Sequence, residues 1–163
     1  MTREQLLDRV PPCGLMCYTC PGFTDGAIAG HSAALLKLNV GYREFLDEHL
    51  PNEYRHVLGE QDKYIERLKK DSSPNCPGCR KIDGKWRGCI EGCFIPGCTS
   101  EHSVDFCGEC EDFPCSRIEE SAIYRKEVKK GFYEGSSLIK KHGAEKFFEM
   151  RSGISHYMSF VKE

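Results

Sequence analysis

The chain lacks any long apolar stretch, since no uninterrupted apolar run is longer than Ala33–Leu36. A helix that crosses a bilayer needs about 20 mainly apolar residues, so we expect no membrane span. The first ten residues, MTREQLLDRV, contain four charged side chains and no apolar core of a secretory signal, which predicts a cytoplasmic protein. With 39% hydrophobic and 29% charged residues, the 163-residue chain can form one domain with its own core.

Eleven cysteines are the unusual part of the composition. Disulfide bonds alone cannot satisfy an odd number of cysteines, and a reducing cytosol keeps thiols free to bind metal. The cysteines also occur in closely spaced groups beside glycine and proline, whereas cysteines that only pack in a core are scattered. All eleven are therefore candidate metal ligands, in a first group of three and a later group of eight: Cys13, Cys17, Cys20, and Cys76, Cys79, Cys89, Cys93, Cys98, Cys107, Cys110, Cys115.

The segment between the two groups, residues 24–72, has the periodicity of helices. Apolar residues recur there mostly every three or four positions, with charged residues between them. Pro51 and Asn52 divide the segment into two predicted helices, and Asn52 is the expected N-cap of the second.

The segment after the cysteines, residues 116–151, is also predicted to be helical. Ser116 and Glu119 match a capping box that would start a helix running through Val128, with Gly131 and Gly135 interrupting it. The next helix begins near Leu138 and is expected to end at Gly143, and another follows from Ala144 to Met150.

Strand-like and helix-like segments do not alternate along the chain, which argues against a parallel sheet. Asp83-Gly84, between Ile82 and Trp86, is a hairpin turn signal. We therefore predict one mostly α-helical domain, residues 1–163, with a small α+β fold as the alternative. A helical scaffold (24–72 and 116–151) would carry a cysteine-rich metal-binding module of loops and a short hairpin (11–23 and 74–118).

Two C-x2-C pairs carry the strongest metal signal. Cys76 with Cys79 and Cys107 with Cys110 each place two thiolates within reach of one ion, so we predict one four-thiolate zinc site from the two pairs. The N-terminal triplet would then share a second site with one of Cys89, Cys93 and Cys98. Cys115 has no predicted partner.

The N-terminal triplet also permits a different chemistry. Its C-x3-C-x2-C spacing matches that of radical-SAM enzymes, but a chain with this helical pattern does not supply the strand-helix repeats of their barrel. An iron-sulfur cluster for electron transfer or sensing stays open as the alternative to zinc, because Cys20-Pro21 is similar to the end of ferredoxin motifs.

Charge is uneven along the chain. Residues 74–115 contain seven acidic and four basic residues, and a four-thiolate zinc site adds negative charge, so nucleic acid is a poor partner for the cysteine-rich part. If another protein docks on this chain, we expect it at the acidic stretch beside the second pair, which consists of Glu101, Asp105, Glu109, Glu111 and Asp112. Such stretches are usually only solvated.

Nothing in the sequence identifies a substrate pocket, and we expect a binding protein rather than an enzyme. Cys115 precedes a predicted helix, where the helix dipole lowers a thiol pKa and favours metal ligation or nucleophilic reactivity. Catalysis by Cys115 would need a positioned base, and His102 is the nearest histidine in sequence.

Four cysteine blocks in order resemble a known family: CGLMCYTCPGF from Cys13, CPGC from Cys76, CIEGCFIPGC from Cys89, and CGECEDFPCSRI from Cys107. The family consists of short, uncharacterised, cysteine-rich prokaryotic proteins and is known as a domain of unknown function. The resemblance covers about residues 11–150. It implies that all eleven cysteines belong to the family pattern and that the protein binds metal, with zinc expected, and it implies no reaction. Where the family often has Ile-Arg in the third block, this chain has Ile95 followed by Pro96.

Overall fold

The computed structural model describes residues 1–81 and 89–161. Eight α-helices occur in these ranges: α1 Arg3–Arg9, α2 Ala27–Leu38, α3 Tyr42–His49, α4 His56–Ser72, α5 Ile95–Glu101, α6 Ser116–Glu119, α7 Lys126–His142 and α8 Ala144–Arg151. Short 3-10 turns lie at Cys17–Thr19, Asn52–Tyr54, Cys79–Lys81, Cys107–Glu109 and Met158–Phe160.

The prediction of a mostly helical chain is confirmed. In the described ranges the one β contact is an isolated parallel bridge between Phe23 and Cys76. The hairpin predicted at Asp83-Gly84 lies outside the described residues. No helix of the described part is both long and apolar enough to span a bilayer.

The segment 24–72 contains three helices where the periodicity predicted two. α2 ends at Leu38, and its C-cap is Asn39, whose side-chain amide donates a hydrogen bond to the Leu35 carbonyl at 2.8 Å. Gly41 then takes a left-handed conformation (φ +79°) and is the N-cap of α3. The predicted cap at Asn52 is wrong, because Asn52 begins a 3-10 turn and Arg55 is the N-cap of α4.

The helix boundaries after the cysteines also differ from the prediction. α6 stops at Glu119 after four residues and has no side-chain cap, so the expected helix through Val128 is wrong. Gly131 and Gly135 lie inside α7 and do not interrupt it. The predicted stop at Gly143 (φ +81°) is confirmed, as is the helix that follows it.

Helix α7 is shared by the two apolar clusters of the core. Ile139 packs in the first cluster, with Leu6, Val10, Met16, Phe106, Ala144 and Phe147. Phe132, two turns earlier, packs in the second, with Cys13, Ile95, Cys107, Phe113, Ile118 and Tyr124. Helices α2 and α4 pack against each other, and α3 packs on α4.

Two cysteine-bearing loops rest directly on the backbone of α7. A Cβ at Gly135 would collide with the carbonyl of Gly14, and a Cβ at Gly108 would collide with the carbonyl of Ser136. The glycines therefore allow backbone-to-backbone approach at both loops. The Ser136 hydroxyl donates to the Cys13 carbonyl at 3.3 Å, and the Lys140 ammonium donates to the Phe113 carbonyl at 2.7 Å.

Most of the acidic stretch proposed for docking is paired within the chain. Asp105 and Glu109 lie 2.6 and 3.5 Å from the Arg3 guanidinium. Glu101 contacts Arg117 at 3.7 Å. Asp112 lies 3.5 Å from His102, which offsets its charge only when the imidazole is protonated. Such exposed pairs contribute little stability, but they reduce the free negative charge that this face could offer a partner.

Candidate metal centres

Backbone hydrogen bonds bring the first cysteine block beside the second. The Cys76 amide donates to the Gly22 carbonyl at 3.0 Å, and the Thr24 amide donates to the Cys76 carbonyl at 3.0 Å. These bonds form the single bridge described above, and they hold two segments together that are more than fifty residues apart in sequence.

Five cysteines line one cavity of about 200 Å³ at this junction: Cys17, Cys20, Cys76, Cys79 and Cys89. We call this the five-cysteine chamber. Apolar side chains form much of its remaining wall, among them Leu15, Phe23, Ile90, Val128 and Phe160. Thiols from three cysteine blocks therefore converge on one space.

The thiols of the chamber interact with one another. The Cys79 thiol forms a hydrogen bond with Cys89, which raises the pKa of Cys79 and lowers that of Cys89 to about 6. Burial raises the pKa of Cys17, and the charges of Cys89, Cys20 and Cys76 raise it further. Neighbouring thiols thus resist being ionised together unless a cation is present.

Four other cysteines line a second, narrow cavity of about 20 Å³: Cys98, Cys107, Cys110 and Cys115. We call this the four-cysteine pocket. Cys98 is on α5, Cys107 begins a 3-10 turn whose C-cap is Cys110, and Cys115 is the N-cap of α6. Burial raises the pKa of Cys107 to about 12, and the charges of the other three thiols add to the shift.

His102 lies at the rim of the four-cysteine pocket. Its Nδ1 donates to the Cys98 carbonyl at 2.9 Å, and its Nε2 lies 3.5 Å from an oxygen of Asp112. The ligand atoms of His102, Cys110 and Asp112 lie within 4.8 Å of one another. Within the described ranges no three cysteine sulfurs meet that limit, so a single ion would draw the thiols of either cavity closer together.

Cys13 and Cys93 line neither cavity. Cys13 is buried in the second apolar cluster, and the Cys93 sulfur accepts a hydrogen bond from the Tyr124 hydroxyl at 3.3 Å. Nothing in the geometry tests the expectation that both residues bind metal, and neither belongs to the sites proposed below.

The cysteines that share a cavity differ from the grouping predicted from sequence. Cys76 and Cys79 line the chamber with Cys17, Cys20 and Cys89, whereas Cys107 and Cys110 line the pocket with Cys98 and Cys115. The bridge at Phe23 and Cys76 brings the first pair to the N-terminal loop, and α5 places Cys98 beside the second pair. Of the N-terminal triplet, Cys13 is not part of the chamber wall.

Residues 152–161, which we call the C-terminal cover, form one side of the chamber, and they were not predicted from sequence. The Thr19 hydroxyl donates to the Ile154 carbonyl at 2.9 Å, and His156 Nδ1 donates to the Met16 carbonyl at 2.9 Å. The Tyr157 hydroxyl lies 3.6 Å from the Cys20 sulfur. No cysteine follows Cys115, so no sequence signal connected this segment with the cysteines.

We predict that acid weakens the attachment of the C-terminal cover. Burial lowers the pKa of His156 below its ordinary value of about 6.5. As the pH falls through that value the unfolded state takes up the proton first, so the stability contributed by neutral His156 is present above about pH 6.5 and is lost below it. Thermal unfolding between about pH 7.5 and 5.5 should show a larger loss of stability for the wild type than for His156→Asn, whose amide can still donate to Met16. Equal losses would contradict the prediction.

The described fold and its two cavities define a small helical protein whose cysteines are concentrated at two places. The chain belongs to the family described as protein of unknown function, DUF3795, whose model matches residues 9–120. The matched range contains all eleven cysteines and ends before α7 and the C-terminal cover. Searches of curated proteins and of solved structures found no match.

Proposed function

We propose that the chain is a zinc-binding protein in which Cys98, Cys107, Cys110 and Cys115 hold one structural zinc ion. The observation that carries the proposal is the convergence of four thiols on a cavity of about 20 Å³, which is room for one water-sized occupant. Four thiolates in tetrahedral coordination are a common structural zinc site.

The surroundings of the pocket support a structural role. The four cysteines come from three separate segments: α5 carries Cys98, a 3-10 turn and its C-cap carry Cys107 and Cys110, and the N-cap of α6 is Cys115. One ion would therefore hold these three segments together. The walls are otherwise mainly apolar, including Phe94, Ile95, Phe113 and Ile118. Four thiolates also fill all positions of a tetrahedral ion, which leaves none for a substrate.

A second candidate at this end of the molecule is an ion held by His102, Cys110 and Asp112. Because Nδ1 of His102 donates to a carbonyl, Nε2 of the neutral ring and the carboxylate of Asp112 are both acceptors, 3.5 Å apart. A cation between them would satisfy both atoms. Such an ion would keep an open position, which is typical of catalytic rather than structural zinc.

Substitution of one ligand separates the two candidates. We expect Cys115→Ser to weaken zinc binding at the pocket by more than about 100-fold, since loss of a ligand costs more than loss of a supporting hydrogen bond. Asp112→Asn should leave the affinity unchanged. The measurement is zinc content after dialysis against a weak chelator, together with the sulfur-to-cobalt charge-transfer absorption of the cobalt-substituted protein.

The control is Cys93→Ser, which removes a thiol that lines neither cavity and should keep the wild-type zinc content. Zinc lost from Asp112→Asn and kept by Cys115→Ser would favour the three-ligand site. Anaerobically purified protein that contains iron and acid-labile sulfide in place of zinc would overturn the proposal.

A further inference from the structure

The five-cysteine chamber differs from the four-cysteine pocket in both size and ligand number. Its volume is about 200 Å³ against about 20 Å³. One tetrahedral ion needs four thiolates and about the space of one water, so the chamber has one thiol too many and far more room than one ion fills.

The charges of the chamber give a second argument. One divalent ion bound by four of the thiolates, with the fifth cysteine kept as a neutral thiol, would leave a net charge of about −2 among mainly apolar walls, and such uncompensated charge is costly to bury. Two divalent ions would leave about −1. Arg80 lies in electrostatic range of Cys17 and can offset that remainder.

Cys17 is placed to serve two ions at once. It lies in electrostatic range of each of the other four thiols, Cys20, Cys76, Cys79 and Cys89. It is also well covered by the surrounding chain, whereas Cys89 is exposed at the surface. A thiolate can bridge two metal ions, and Cys17, which interacts with all four other thiols of the cavity wall, is the candidate bridge.

We propose that the chamber binds two thiophilic divalent metal ions that share the thiolate of Cys17. This proposal rests on the proposed function in assuming that the cysteines bind zinc-like ions. Each ion would receive the shared thiolate and two of the other four, which leaves one position on each ion for a donor other than cysteine.

The wall of the chamber supplies such donors. The Tyr157 hydroxyl lies 3.6 Å from the Cys20 sulfur. His156 also lines the chamber, and because its Nδ1 donates to Met16, the lone pair of the neutral ring is on Nε2. Both side chains belong to the C-terminal cover, so the cover would complete the centre.

The test counts metal ions in the full-length chain. After loading with zinc or cadmium, native mass spectrometry should find about three ions per chain, one in the pocket and two in the chamber. Cys115→Ser should lose the ion of the pocket and keep the two ions of the chamber. Cys17→Ser should also keep two ions, one in the pocket and one in the chamber, because the shared thiolate is lost. Cys93→Ser should keep all three. In the ¹¹³Cd-loaded wild type, two cadmium resonances should show scalar coupling to each other through the shared sulfur.

The results separate the inference from the proposed function. Two ions in the wild type and one in Cys115→Ser would overturn the two-ion chamber and leave the zinc pocket intact. Three ions that Cys115→Ser does not reduce would overturn the pocket and leave the chamber intact. Cadmium resonances without mutual coupling would overturn the shared thiolate, and this measurement needs no variant. Iron with acid-labile sulfide in the chamber would overturn the inference as well.

Discussion

Removal of the proposed zinc is expected to lower the midpoint of thermal unfolding by about 10 °C or more and to release the cysteine-bearing loops. These loops have little regular structure of their own, apart from short 3-10 turns and the short helices α5 and α6. Structural zinc contributes about 10–16 kcal/mol in zinc-finger peptides, and even a third of that value would shift the midpoint by this amount.

Hydrogen exchange can locate the effect. After chelation, peptides covering residues 13–23 and 89–118 should lose protection, whereas peptides from α2 and α4 should keep most of theirs, because these helices pack chiefly against each other. Re-addition of zinc should restore protection, and magnesium, which prefers oxygen ligands, should not. An unchanged exchange pattern after complete metal removal would show that the loops fold without metal.

Gly135→Ala is expected to destabilise the protein by about 3 kcal/mol or more. The added methyl group would overlap the carbonyl group of Gly14, which is backbone and cannot move aside as a flexible side chain would. The clash would push the loop carrying Cys13, Cys17 and Cys20 off α7, and metal content should fall with stability.

The matched control is Gly59→Ala, in the exposed part of α4, where an added Cβ has no neighbour within 4 Å. The same substitution should there stabilise the protein by about 0.5–1 kcal/mol, because alanine loses less backbone entropy in a helix than glycine does. Urea unfolding of both variants measures the two effects. Equal and small effects would show that the loop can lift from α7 without cost.

The helical class and several helix ends could be predicted from sequence because they depend on local pattern. The stop at Gly143 is an example, since glycine readily adopts the conformation found there. That Gly131 and Gly135 lie inside a helix could not be predicted. Both residues allow a neighbouring chain segment to approach α7 closely, and neither ends the helix. A local pattern does not distinguish these two uses of glycine.

The cysteines could be recognised as a set, but their division between two cavities could not be predicted. The C-x2-C spacing in the sequence places Cys76 beside Cys79. Whether Cys17 or Cys107 shares a cavity with this pair depends on which loops meet in space. The contact between Phe23 and Cys76 decides this, and it is a backbone contact with no residue signature. The cover residues His156 and Tyr157 were missed for the same reason.

Helix α7 shows that the range matched by the family model is shorter than the range needed to form the packed core. The family match ends at residue 120, but Phe132 and Ile139 of α7 fill the two apolar clusters on which the cysteine loops rest. A fragment cut at that boundary would keep all of its thiols and lose the platform that brings them together. The boundary recognised by similarity and the boundary set by packing therefore fall at different residues.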